Sequence, residues 1–482
     1  MENINNKNKF NLFKLYKEEN LYKFLCYALI SIIFFNSILN LFFQNRQDVF
    51  SNINLYDFIA GISLFICLYT VGNAIKKQFK FESVSIGIIY YLFSFFIFDC
   101  FILFFYQKLA FLEILYLVNV LWLLFFIVNL KNLKKIIYLI IPFTFLRFYF
   151  EQYKHKLTFN NNIRGDVEAV FFEQAKNIYE GSYFISINNY IFEGYPQFLS
   201  YIQSIFLGTA GSISNYNFFA FTSHIVFYLS LLFFTELNIS KFHKLICMGL
   251  FSLLLLNSKF LQFLFTTSLM SEGVVSLFTA ILVIAALNNL NNPDGLDYKI
   301  FLLLGVLYFS KQFNSTLVII IIFCLFFIKG RNKIVLLGLS GVALKELLFL
   351  FVFTEVSKDH HIRQMNLKDT ILDLLLFRDL QIKNIFSILQ NLWIDKPLVI
   401  LFFVFYFSYL YSKKMIKKFE LKTDLIFLLI NLNIIFVFLI YISVWKNMEL
   451  ESPIRYFLSN LHLILSSIFL SIEISKNKII KS

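Results

Sequence analysis

Long runs of hydrophobic residues, separated by short polar segments, form the main pattern along the chain. Each run has about 20 residues, the length of helix that crosses the roughly 30 Å hydrocarbon core of a membrane. Lipid offers no partners to backbone N–H and C=O groups, so runs of this length predict helices. About 14 spans are predicted, at residues 24–43, 55–75, 83–106, 109–130, 136–150, 216–237, 245–265, 270–290, 300–310 with 313–329, 334–353, 396–412, 424–445 and 454–474.

Two longer polar segments, 151–197 and 354–395, interrupt this pattern. Within the first, residues 167–179 place apolar side chains along one helical stripe, which predicts an amphipathic helix at the membrane interface. Asp166 precedes this helix, where a carboxylate serves as an N-cap. The predicted fold class is an all-α polytopic membrane protein with interfacial helices in its first long loop.

Composition excludes several other classes of protein. Of the 482 residues, 59% are hydrophobic and only 15% are charged, whereas a soluble domain carries about 25% charged residues. The net charge is +13, but the sequence has no soluble basic patch interleaved with stacking aromatic residues, as nucleic-acid binding requires. The five cysteines stand singly, and the six histidines lack the spacing of a helical metal site, which argues against a structural zinc centre.

Lysine and arginine concentrate in alternate connections between the predicted spans. Because short cytoplasmic loops are enriched in these residues, the pattern predicts that both terminal segments, 1–23 and 475–482, are cytoplasmic. Both long polar segments then face outward, and the predicted location is the plasma (inner) membrane. In this threading the short outer connections hold few basic residues, namely Arg46, Lys108, Lys259 and Lys446.

Four segments, in order along the chain, resemble a known family. They are GDVEAVFFEQAKNIYEGSYF (165–184), EGYPQFLSYIQSIFLG (193–208), LLLGVLYFSKQFNSTLVIII (302–321) and SPIRYFLSNLHLILSSIFL (452–470). Together they resemble the GT-C class of integral membrane glycosyltransferases, particularly the protein O-mannosyltransferase and lipid A aminoarabinose transferase group. The resemblance covers residues 136–474 and implies a GT-C-like helical bundle, with the spans in 24–135 as additional N-terminal helices.

The resemblance also implies an activity. A sugar is expected to move from a polyprenyl-phosphate donor to a lipid, glycan or protein acceptor in the cell envelope, at the outer face, by an inverting single displacement. Asp166 matches the catalytic acid of the family and is implied to be the base that accepts the proton of the acceptor hydroxyl. Glu168 is implied as a helper or as a ligand to a divalent metal, and no other cofactor is expected.

The departing phosphate requires fixed cations and polar groups nearby. Arg455 has a planar fork suited to bidentate phosphate contact, and it opens the last predicted span in the Arg-Tyr position of the family. The predicted substrate- and phosphate-binding residues are Arg164, Tyr195, Lys311, Arg455 and Tyr456. The alternative interpretation of Arg164 and Arg455 is contact with lipid headgroups at the interface. For Lys311 it is a surface lysine at a helix break, and for Asp166 it is the helix cap alone.

Two other functions use similar chains. A transporter or flippase of lipid-linked sugars has a comparable number of spans, and a polysaccharide polymerase or ligase uses related substrates. Transporters often contain internal repeats with a binding site at the midplane. The hydropathy of this chain shows no repeat, and its acidic residues cluster in the outer segment 151–197, which favours the transferase.

Overall fold

The structure is a computed structural model, and it describes part of the chain. The described residues are 55–106, 215–258, 271–290, 395–416, 420–443 and 459–481, together with 175, 198–202, 204, 343, 390 and 393. Side chains are described for most of these positions.

The described residues form helices with no strand among them, and short turns join the first helix to the second and the third helix to the fourth. The helices are α1 Leu55–Phe79, α2 Val84–Tyr106, α3 Asn215–Glu236, α4 Lys241–Asn257, α5 Ser271–Leu290, α6 Lys396–Ile416, α7 Leu421–Ser443 and α8 Leu461–Lys481. Each overlaps one predicted span, which confirms the all-α class for this part of the chain. The prediction of about 14 spans stays a prediction.

Two helices are displaced along the sequence from their predicted spans. Helix α4 begins four residues before the predicted span 245–265, because the Ser240 side chain accepts a hydrogen bond from the His243 N–H. It ends at Asn257, because the backbone of the next residue, Ser258, is extended. Helix α8 follows a turn and runs on to Lys481, whereas the predicted span covers 454–474. Apolar runs locate helices well, but capping groups decide where a helix starts and ends.

Helix α8 lies at the centre of the described bundle. It packs against α4, α5, α6 and α7, and its side chains from Leu461 to Ser471 are buried on all sides. A helix that is buried all round has no polar face to turn toward solvent. Ser467, Ser471 and Ser475 recur at intervals of four residues and are all buried, and such small residues allow helices in membranes to approach closely.

Helices α1 and α2 meet at a close backbone contact. The turn between them begins at Lys80, whose φ of 57° is left-handed, and the Phe81 N–H donates to the Lys76 carbonyl at 3.0 Å, as in a Schellman motif. The last part of α1 and the first part of α2 lie at 97° to each other. A Cβ atom on Gly87 would lie 2.2 Å from the carbonyl oxygen of Gly72, so only glycine fits at this crossing.

We therefore expect Gly87→Ala to destabilise the protein by about 1–3 kcal/mol, because the added methyl group forces two backbones apart. Gly249→Ala is the matched control, since a Cβ atom on Gly249 meets nothing within 4 Å and alanine favours helix. Unfolding in a denaturing-detergent titration measures both variants. Equal stability of the two variants would contradict the close crossing of α1 and α2.

Helix α6 presents a broad apolar surface to its surroundings. Among the described residues, its segment Lys396–Met415 is the one single helix that is long and apolar enough to cross a membrane. The bent pair Leu68–Phe79 and Val84–Phe98 is long and apolar enough only when its two helices are counted together. Five large apolar side chains on α6 are more than half exposed, namely Ile400, Phe403, Phe407, Leu410 and Tyr411. An exposed apolar surface of this kind is typical of contact with a membrane or another apolar partner.

The ends of the helices meet in two groups. Glu236 at the end of α3 bonds to Val84 at the start of α2, and Glu473 of α8 bonds to Ser240 before α4. At the other end of α4, Ser258 bonds to Asp395 before α6. We name the first group the lysine-rich end. It joins the ends of α1, α3, α5, α6 and α8 to the starts of α2, α4 and α7. Its lysines are Lys76, Lys77, Lys80, Lys241, Lys244, Lys413, Lys414 and Lys422.

The lysine-rich end contains the connections that the charge pattern assigns to the cytoplasm. Helices α1 and α3 end there, and helices α2 and α4 start there. Which side of a membrane this end faces stays a prediction.

Candidate functional site

The predicted site residues lie outside the described residues. They are Arg164, Asp166, Glu168, Tyr195, Lys311, Arg455 and Tyr456. Their roles stay predictions, as does a metal at Glu168. The described residues nearest to them in the sequence are Ala175, the segment 198–202 and Ser459.

Two of these neighbours are helical and buried. Ala175, which belongs to the predicted apolar stripe of 167–179, has no exposed surface. Phe198 lies 5.5 Å from Phe93 and 5.3 Å from Phe96, both in α2, measured between ring centres. The second segment of the family resemblance therefore packs against a helix from the predicted additional N-terminal region.

A buried histidine joins three helices in the bundle. His462, in the first turn of α8, has no exposed surface. Its Nδ1 lies 2.9 Å from the Ser276 Oγ of α5, and its Nε2 lies 2.9 Å from the Ser230 Oγ of α3. The backbone N–H of His462 also donates to Ser276 Oγ at 3.1 Å.

These contacts assign the tautomer of the ring. Ser230 Oγ donates its proton to the Val226 carbonyl at 2.7 Å, so it accepts from Nε2–H of His462. The Ser276 oxygen accepts the backbone N–H of His462, which leaves its own proton for Nδ1. His462 is therefore assigned as a neutral imidazole with both nitrogens bonded, and this arrangement suits a structural role better than proton transfer.

Aromatic rings enclose this histidine. The ring of Phe234 stacks on the His462 ring with 5.6 Å between the ring centres and an interplanar angle of 17°. The centre of the Phe251 ring lies 5.2 Å from that of His462. The sequence shows His462 as an isolated histidine in an apolar run. Its partners come from helices that are 186 and 232 residues away along the chain, so sequence spacing carries no signal of this cluster.

The turn before α8 is polar and buried. Asn460 accepts the first helical hydrogen bond, from the Ile464 N–H at 2.8 Å, and is thus the N-cap. Its side-chain oxygen accepts from the Asn433 Nδ2 of α7 at 3.0 Å. In the described part of the chain, the Nδ2 of Asn460 is buried without a hydrogen-bond partner. This arrangement leaves a donor at the helix start that faces no acceptor.

A small cavity opens at the lysine-rich end. Its volume is about 50 Å³, which holds a few water molecules and is far below the roughly 300–1,000 Å³ of a small-molecule site. Its polar lining residues are Glu82, Ser83, Glu236, Asn238, Asn288 and Lys422. This cavity is too small for a sugar ring.

Carboxylates at this end cap helices that are distant in sequence. Glu236 accepts hydrogen bonds from the N–H groups of Val84 and Ser85 at the start of α2. Glu473 accepts from the Ser240 N–H at 3.3 Å and lies 2.6 Å from His243 Nδ1 at the start of α4. Negative groups stabilise helix N-termini, so both carboxylates have structural partners.

Lys422 adds a cation to the lining of the cavity. It lies before the predicted span 424–445. Burial lowers the pKa of its ammonium group, and the nearby carboxylates of Glu82 and Glu420 counteract that shift. These charges compensate one another locally, which is typical of a helix-end network.

Asp395 occupies the opposite end of the bundle. It is 5% exposed and accepts a hydrogen bond from Ser258 Oγ at 2.7 Å. Its backbone oxygen accepts from the Leu398 and Val399 N–H groups at the start of α6. Asp395 therefore ties the start of α6 to the end of α4.

Metal ligands do not cluster in the part of the chain described. No group of three His, Cys, Asp or Glu side chains there lies close enough to hold an ion. Comparison with known proteins adds no constraint: no protein-family model, no curated protein and no solved structure matches this chain.

Proposed function

We propose that this protein is an integral membrane glycosyltransferase that uses a polyprenyl-phosphate sugar as donor. The observation that carries the proposal is the ordered set of four segments that resemble the GT-C class, beginning with the acidic turn at Asp166 and ending with the Arg455-Tyr456 pair. The acceptor is a lipid, glycan or protein of the cell envelope. A lipid-bound donor suits an enzyme that is itself in the membrane.

The apolar surface of α6 supports the membrane part of the proposal. Trp393 is 70% exposed near one end of the helix, and Tyr411 is 51% exposed near the other. Helix α6 itself has 21 residues, a length of about 31 Å, close to the roughly 30 Å thickness of the hydrocarbon core. Tryptophan and tyrosine are enriched at both membrane interfaces, so α6 matches a helix that faces lipid.

The proposed mechanism is a single inverting displacement. Asp166 removes the proton from the acceptor hydroxyl as that oxygen attacks the anomeric carbon, and the bond from that carbon to the phosphate oxygen breaks. Arg455 and Lys311 stabilise the negative charge that develops on the leaving phosphate. By analogy with other oxyanion donors, each such group contributes about 3 kcal/mol to the transition state.

Mass spectrometry of cell-envelope glycolipids, with and without this protein, tests the proposal. We expect one glycosylated species to be lost and its unglycosylated acceptor to accumulate when the protein is removed. Purified protein in lipid vesicles should then transfer sugar from a polyprenyl-phosphate donor to that acceptor. Movement of the intact donor across the vesicle membrane, with no transfer, would replace the transferase with a flippase.

A further inference from the structure

The start of α8 lies inside the bundle. Ser459 and Asn460, the turn residues before it, are 9% and 0% exposed. His462 is separated from Glu473 at the lysine-rich end by eleven residues, about 16 Å along a helix axis. Helix α8 therefore begins inside the bundle, about 16 Å from the lysine-rich end, as do the half-helices whose N-termini point at anionic groups in membrane proteins.

The side chain of the N-cap residue Asn460 does not bond to the first turn of this helix. An N-cap asparagine normally accepts from an N–H in the first turn through its side-chain oxygen. Here that oxygen accepts from Asn433, and the His462 N–H donates to Ser276. The remaining first-turn N–H groups have no acceptor within the helix, and the buried Nδ2 of Asn460 has no partner among the described residues.

A buried donor without an acceptor at the start of a helix favours an anion. A buried donor left unpaired costs about 1–3 kcal/mol, and the positive end of the helix dipole adds to the attraction for negative charge. Phosphate groups bind at helix N-termini for these two reasons. Nearby, His462 is a neutral ring with both nitrogens hydrogen-bonded, and the hydroxyl protons of its two serine partners are also used in hydrogen bonds. None of these side chains carries a negative charge that could take the place of the anion.

We propose that the start of α8, with the Nδ2 of Asn460 as a donor, binds the phosphate group of a lipid. This inference rests on the proposed function, and it assigns the phosphate to the polyprenyl-phosphate donor. Arg455, the predicted phosphate-binding cation, stands five residues before Asn460 in the sequence. A phospholipid headgroup carries the same phosphate chemistry and is the alternative source that the test separates.

Binding of farnesyl phosphate to the full-length protein in phosphatidylcholine nanodiscs tests the site. We expect Asn460→Asp to weaken this binding at least tenfold, because a carboxylate replaces the donor while still accepting from Asn433 and still allowing the helix to start. Asn460→Ser is the second variant, since serine is also a good N-cap but lacks the Nδ2 donor. It should bind less tightly than wild type and more tightly than Asn460→Asp.

Asn238→Asp is the matched control, because Asn238 is exposed in the α3–α4 connection at the lysine-rich end. It should bind farnesyl phosphate as wild type does. Farnesol, which lacks the phosphate, should bind equally to wild type and to Asn460→Asp. Unchanged farnesyl phosphate binding in both Asn460 variants would overturn the proposal.

Competition by dioctanoyl phosphatidic acid separates the two sources of phosphate. We expect it to displace farnesyl phosphate poorly, whereas displacement at equal concentration would assign the site to phospholipid and overturn the assignment to the donor. The proposed function fails separately from this site. If farnesyl phosphate binds through Asn460 but no sugar is transferred, the transferase is wrong; if transfer occurs and Asn460→Asp leaves the KM for the donor unchanged, the phosphate site is wrong.

Discussion

Asp166→Asn is expected to lower sugar transfer by about 100- to 10,000-fold, the range that a positioned general base contributes. The amide keeps the size of the side chain and can still cap the helix that follows, but it cannot accept the proton of the acceptor hydroxyl. The loss should therefore appear in kcat, with little change in the KM for the donor. Turnover of the purified variant in lipid vesicles, with a defined polyprenyl-phosphate sugar, measures it.

Glu180→Gln is the matched control for this variant, because Glu180 lies in the same outer segment and has no proposed role. It should transfer sugar at the wild-type rate. Glu168→Gln distinguishes the two roles implied for that residue: added divalent metal should partly rescue a lost ligand and should not rescue a lost helper. Wild-type turnover by Asp166→Asn would show that Asp166 is only a helix cap.

His462→Ala is expected to destabilise the protein by about 3 kcal/mol. Removal of a fully buried ring leaves a cavity, and such truncations cost about 2–5 kcal/mol. Ser230 and Ser276 also lose a partner, and a hydrogen bond between membrane helices contributes about 0.6 kcal/mol on average. Because the ring joins α3, α5 and α8, the effect should appear as loss of the folded state in a denaturing-detergent titration.

His243→Ala is the matched control, since its side chain is 13% exposed and bonds to one carboxylate, that of Glu473. It should cost less than His462→Ala, because it removes one side-chain hydrogen bond, which contributes about 0.5–1.5 kcal/mol. A double-mutant cycle adds a second measurement. In a Ser230→Ala background, His462→Ala should cost less than in wild type, because the shared hydrogen bond is already lost; additive costs would contradict the contact.

The approximate positions of the described helices follow from the hydrophobic pattern. The predicted span 83–106 and the observed α2, Val84–Tyr106, differ by one residue, because the apolar run and the helix are limited by the same polar neighbours. Helix α4 was predicted less well, since Ser240 and Ser258 set its ends within a longer apolar run. Hydropathy measures how well a segment suits lipid, but it does not show which serine side chain accepts a hydrogen bond from the first turn of a helix.

The candidate site likewise contains residues that the sequence indicates and one, Asn460, that only the structure reveals. Asp166 and Arg455 are predicted from residue type and order within segments that resemble a family, and both lie outside the described residues. Asn460 has no sequence signal of its own, because an asparagine in an apolar run is equally consistent with a helix face or a turn. Its unpartnered donor is visible only once Asn433 of α7 is seen to occupy the oxygen of the same amide.

Hydrophobic pattern and charge placement, which depend on neighbours a few residues apart, were sufficient to predict helices suited to a membrane and to locate the eight helices in the described part of the chain. Contacts such as Glu236 with Val84, or His462 with Ser230, join residues more than 150 positions apart. They depend on how apolar helices pack, and many packings satisfy the same hydropathy. The capped helix ends, the neutral buried histidine and the buried start of α8 therefore emerged from packing in three dimensions.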